Sequence, residues 1–176
     1  MYGLTTIRAN QRLLHFPLLF VASVALLVAA FSRWQFLFDQ GYLYPVSYTA
    51  ARLLDLLGVP AMLDAGHLSL GYCTLCFEKI TFRIVQECTG IFALFTFVAA
   101  LLAYPTSVRQ KGLGLLLGLP AFFVYSFLRL VALGVVAHHN PGWIHYYHLY
   151  FMVLLNLGFS LFLWVSWVNR VRALDA

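Results

Sequence analysis

Glu87-Cys88-Thr89-Gly90-Ile91 leads into Phe92-Ala93-Leu94-Phe95-Thr96-Phe97-Val98, and from Cys88 to Val108 no side chain is charged. Ile91, Phe92, Leu94, Phe95, Phe97, Val98, Leu101 and Leu102 leave no polar face. About 20 such residues span a bilayer core, so a membrane helix is predicted over 88–108. Cys88 then falls on its first turn, at the membrane surface. Free backbone N–H groups and the positive end of a helix favour a thiolate there, which makes Cys88 a candidate nucleophile. The competing reading is a small buried hydrophobe, because free cysteine is among the most buried residue types.

Composition supports the membrane setting. Of 176 residues, 62% are hydrophobic and 10% charged, with a mean hydropathy of +0.85. Such a chain cannot cover a soluble globule with polar surface, so a single integral membrane domain over 1–176 is expected, with lipid as its surroundings. The net charge of +5 comes from basic residues between apolar runs, where they set topology, and no basic patch suits nucleic acid. Three cysteines leave at least one thiol unpaired within the chain. Phe31-Ser32-Arg33-Trp34 is not a small-residue cleavage site, so the first apolar run is expected to stay.

Further membrane helices are expected over 13–31, 112–137 and 148–168. Between the first two spans, Arg33, Asp39, Arg52, Asp55, Asp64, Glu78, Lys79, Arg83 and Glu87 keep residues 32–87 out of hydrocarbon. Val46, Ala50, Leu53, Leu54 and Leu57 recur at helical spacing, which predicts an amphipathic interfacial helix over 46–57 ended by Gly58 and Pro60. Gly66, Gly71 and several β-formers suggest a short hairpin over 67–85. The fold expected is all-α, with four transmembrane helices and an extracytoplasmic amphipathic helix and hairpin between the first two.

Four spans put both termini on one side, shared by Arg8, Arg12, Arg109, Lys111, Arg170 and Arg172. The 138–147 connector has no Lys or Arg. The positive-inside rule then makes the basic side cytoplasmic, in an inner-membrane protein whose long segment, Cys88 and His138-to-His148 region face outward. Trp34, Trp143, Tyr146 and Tyr147 fit an outer aromatic belt.

Arg129 is the only charge in the third run, eight residues before Ala137 and therefore roughly 12 Å from its outer end. A charge at that depth faces a bundle interior or a wet cavity, and its stem lets the guanidinium rise toward Cys88. A structural arginine bonded to carbonyls or to Glu87 is the alternative. His148 opens the fourth helix on the outer side, one turn after His145. Nucleophile, base and fixed cation together suffice for acyl transfer through a thioester. Taken singly, each histidine can equally be an interfacial anchor.

These residues resemble a known family. Glu87-Cys88-Thr89-Gly90-Ile91 is similar to the Cys-Ser-Gly-Ile motif of exosortases and archaeosortases, membrane cysteine transpeptidases. Leu128-Arg129-Leu130 resembles their arginine motif and His148-Leu149-Tyr150 their histidine motif, and the likeness runs from about Pro45 to Trp167. The chain departs at Glu87, where a small residue is usual, at Thr89 in place of serine, and at Ser126 in place of asparagine. It is also as short as the compact members. The resemblance implies that the C-terminal sorting tail of an exported protein, a motif followed by a helix and a basic end, is cut by Cys88. His148, or alternatively His145, would act as base and Arg129 would steady the oxyanion. Glu87, Thr89, Gly90, Ser126 and His145 would lie around the substrate, with Gly90 admitting its backbone. No cofactor is implied, and the acceptor is an unidentified amine or water.

Cys73-Thr74-Leu75-Cys76, with Phe77-Glu78-Lys79, instead resembles the first redox motif of DsbB-type quinone-linked disulfide oxidoreductases. Such an enzyme needs a second cysteine pair, which Cys88 alone cannot supply. A structural Cys73–Cys76 disulfide, or a reduced pair of no catalytic role, is the simpler expectation. A metal clip with His67 lacks a fourth ligand. A noncatalytic scaffold, for which Cys88, Arg129 and His148 are unrelated residues, is a third possibility.

Overall fold

The computed structural model describes the backbone of residues 3–77 and 80–175, and side chains over 15–77 and 80–173. Glu78, Lys79 and the side chains of Arg8 and Arg12 lie outside the described residues. Helix α1 (Gly3–Arg33) is followed by α2 (Gln35–Phe38), a π-helical segment (Asp39–Leu43) and α3 (Tyr44–Leu56). Strands β1 (Met62–Asp64), β2 (Tyr72–Cys76) and β3 (Thr81–Val85) lead to the single turn α4 (Gln86–Thr89). Helices α5 (Ile91–Ala103) and α6 (Val108–His139) follow, then α7 (Ile144–Tyr146), a second π-helical segment (Tyr147–Phe151) and α8 (Met152–Asp175).

Among the described residues three helical stretches are long and apolar enough to cross a membrane: His15–Arg33, Val108–His139 and Pro141–Ala173. The expected span at 88–108 is shorter than predicted. Gly90, at φ +77°, ends α4, and Tyr104 turns extended ahead of Pro105 and closes the helix. What remains is the 13-residue α5, about 20 Å long against a core of about 30 Å. Helix α6 starts earlier than expected because Ser107 caps it and forms a capping box with Gln110, so Arg109 and Lys111 stand on its first turn.

Helices α1, α5, α6 and α8 alternate in direction. Phe31, at the end of α1, packs edge-on against Phe92 and Phe95 at the start of α5. Phe16 in α1 approaches Trp164 in α8, which meets Tyr104 at the far end of α5. Trp167 Nε1 donates to the Gln110 carbonyl, 3.1 Å away, and ties the end of α8 to the start of α6. Arg109, Lys111, Arg170 and Arg172 thus share one end of the bundle, and α4 lies at the other.

Helix α3 appears where its periodicity predicts, with Gly58 at φ +77° and Pro60 beyond its end. Its stripe packs against protein. Val46, Ala50 and Leu54 are buried in protein with Cys73, Leu75 and Ile84 of the sheet and Leu130 and Val131 of α6, whereas Leu57 is exposed. The expected hairpin is present as β2–β3, paired Thr74 to Arg83, and β1 adds a third antiparallel strand on β2. The fold is therefore mostly helical with a small sheet, not all-α.

Two glycines let α6 approach α5. A Cβ at Gly114 would come within 2.3 Å of Leu101 Cδ1, and one at Gly118 within 2.4 Å of Phe97 Cε1. Four residues apart, they form a small-residue stripe of the kind that packs membrane helices. Gly118→Leu is expected to destabilise by about 1–3 kcal/mol through overpacking, read as a lower thermal midpoint in detergent.

Candidate active site

Cys88 lies on α4, ahead of the helix expected to carry it. Cys88 is thus not on the first turn of α5, and the predicted dipole-assisted thiolate is not what the fold builds. Burial pushes the Cys88 thiol above its ordinary value; a backbone hydrogen bond at Val85 and the Arg129 charge pull it back only in part. Helix α4 is held from beneath. Gln86 Nε2 donates to Asp39 Oδ1 at 2.8 Å, with both residues buried, and Thr89 Oγ1 donates to the Gln86 carbonyl at 2.7 Å. Thr89 is therefore buried and braces α4 from within the protein. Glu87 is exposed.

Arg129 is buried in the bundle interior, 7% exposed, ten residues or about 15 Å before the end of α6. Its Nε donates to Met152 Sδ at 2.8 Å and its Nη1 to Asn156 Oδ1 at 3.2 Å, both on α8. The Tyr125 hydroxyl donates to the same Asn156 oxygen at 2.9 Å. Glu87 is not among the partners of Arg129. A Cβ at Gly90 would stand 3.1 Å from Asn156 Oδ1 and 3.2 Å from Arg129 Nη1. The lack of a side chain at Gly90 thus lets Arg129 and Asn156 come close to this turn. The Ser126 hydroxyl donates to the Phe122 carbonyl at 2.7 Å and meets the Tyr42 hydroxyl at 2.7 Å, joining α6 to the first π-helical segment.

Cys88, His145 and His148 line one cavity of about 390 Å³, together with Phe82, Arg83 and Leu133. His148 sits half-buried in the second π-helical segment, and His145 is more exposed. Such π-helical turns recur at functional sites because they re-aim side chains. Arg83 reaches the cavity with its guanidinium 3.7 Å above the Tyr72 ring. The site therefore joins a thiol and two imidazoles on one concave surface, with a buried guanidinium at the turn that follows the thiol.

Cys73 and Cys76 are both on β2. Residues three apart along a strand are about 10 Å apart and point to opposite faces, beyond the reach of a disulfide. Of the two expectations for this pair, the Cys73–Cys76 bond does not form and both thiols are free. Cys73 is buried, and desolvation first and the Asp39 carboxylate second push its thiol up, opposite to what a redox cysteine needs. His67 stacks on Tyr72 with ring centroids 5.0 Å apart. Among the described residues no three His, Cys, Asp or Glu side chains are placed to hold a metal ion.

Asp39, Gln86, Tyr125 and Asn156 escaped the sequence reading. Asn156 had a signal: it is the sole amide in the 148–168 run, and a polar group at membrane depth needs a partner.

The transmembrane exosortase family model (Exosortase_EpsH) matches residues 2–165. No curated protein and no solved structure matches the chain.

Proposed function

The chain belongs to the transmembrane exosortase family, and from that premise we propose that it is a membrane cysteine peptidase or transpeptidase acting on the C-terminal sorting tail of exported proteins. The observation that carries this reading is the single cavity lined by Cys88 and His148, with Arg129 buried at the turn following the thiol. The site end of the bundle faces outward, and the end bearing Arg109, Lys111, Arg170 and Arg172 faces the cytoplasm with both termini, in accordance with the positive-inside rule.

In this mechanism Cys88 Sγ attacks the scissile carbonyl carbon while His148 takes the thiol proton, and the Arg129 charge stabilises the oxyanion. The carbon–nitrogen bond then breaks, and His148 returns the proton to the leaving amine. The resulting thioester is resolved by an acceptor amine or by water, with His148 again accepting a proton. Because burial holds the Cys88 thiol protonated near neutral pH, the base is needed at the attack itself.

The test is to incubate the detergent-solubilised protein with a substrate carrying motif, helix and basic tail, then measure intact mass after acid quench. An acyl adduct mapped to Cys88 and removed by hydroxylamine is expected. Cleavage with no adduct on Cys88, under a quench that preserves thioesters, overturns the route.

A further inference from the structure

Arg129 carries five N–H donors and no acceptor, so whatever orients it must present an acceptor. Among the described residues it has one oxygen partner, Asn156 Oδ1 at 3.2 Å; the Met152 thioether at 2.8 Å is a weak acceptor. The Asn156 amide has no freedom to turn over, since reversal would set its NH₂ against the Arg129 N–H. The Tyr125 hydroxyl donates to the same oxygen from α6, one helical turn before Arg129. Asn156 Oδ1 and Arg129 Nη1 both lie within 3.2 Å of where a Cβ on Gly90 would be. The Tyr125–Asn156–Arg129 chain therefore ends at the backbone two residues past Cys88.

We propose that Asn156 is a positioning residue, whose side-chain oxygen, shared by Tyr125 and Arg129, aims the guanidinium at the Cys88–Gly90 turn. This rests on the reading that Arg129 serves Cys88. Other charged or titratable groups facing the thiol are Glu87 on its own turn and, across the cavity, Arg83 from β3, His145 from α7 and His148 from the π-helical segment. The side-chain oxygen of Asn156 is hydrogen-bonded to Tyr125 and Arg129 and to none of these groups. A change at Asn156 should therefore reach Cys88 through Arg129.

The experiment is a double-mutant cycle read by iodoacetamide alkylation of Cys88 at pH 8, in full-length protein carrying Cys73→Ser and Cys76→Ser. No substrate is needed, so the result is separate from whether the protein cleaves sorting tails, which is scored in parallel by processing. An opposite charge beside a thiol lowers its pKa by about one unit or more, so Arg129→Met should slow alkylation about tenfold. Asn156→Leu should slow it severalfold, and the double variant should be no slower than Arg129→Met alone. Losses that multiply, or a wild-type rate in folded Asn156→Leu, overturn the proposal. A merely structural asparagine would lower the thermal midpoint without this non-additivity. Should Asn156→Leu fail to fold, Tyr125→Phe replaces it in the same cycle, with a smaller loss expected and multiplication again counting against the proposal.

Discussion

Cys88→Ser is expected to lower tail processing by about 10⁴-fold or more, measured by gel shift and mass spectrometry of a co-expressed substrate. Serine is close in size and fits the same half-buried position on α4, so the thermal midpoint should hardly move. The loss is chemical, because a hydroxyl in this desolvated site is a far poorer nucleophile than a thiol. The Cys73→Ser, Cys76→Ser double variant should keep its processing, since β2 places those thiols on opposite faces, away from the cavity. Loss in the double variant with Cys88→Ser active would overturn the thiol mechanism and return attention to the strand cysteines. The raised pKa of Cys88 makes a further statement. Without substrate, alkylation of this thiol should rise about tenfold per pH unit and still be rising beyond pH 9, where an ordinary cysteine levels off.

The parts of the fold that hydropathy and periodicity encode were legible. Helix α3 followed from the spacing of Val46, Ala50 and Leu54, and its end from Gly58 and Pro60. The β2–β3 hairpin followed from β-formers after Gly71. What periodicity misses is conformation at a single residue. Gly90 turns left-handed and separates α4 from α5, which moves Cys88 off the membrane helix and reverses the inferred shift of its thiol. A hydropathy window averages across that break.

The candidate site was legible as residue types but not as supports. Cys88, Arg129 and His148 stood out because a thiol, a buried cation and an imidazole are scarce in apolar sequence. Asp39 and Gln86 are 47 residues apart in sequence, and only the folded chain pairs them. Thr89 and Ser126 were read as substrate contacts from their place in motifs. Both spend their hydroxyls on backbone carbonyls within one turn, a role that sequence cannot separate from an outward-facing one.

The two cavity histidines are distinguished by an expected difference in rate. His148→Ala should lower processing by about 10²–10⁴-fold, the range for loss of a positioned general base, and His145→Ala only severalfold. His148 is half-buried beside the thiol's cavity, whereas His145 is more exposed, where water competes for its proton. The pH profile separates a base from a packing residue. Wild-type processing should level off above the histidine range, because a neutral imidazole then accepts the Cys88 proton during attack. In His148→Ala, attack must wait for solvent to ionise a thiol whose burial favours the protonated form, so the residual rate should keep rising about tenfold per pH unit. A residual rate as flat as the wild type would show that His148 does not move this proton. A larger loss in His145→Ala, with the same steep profile, would transfer the role to it.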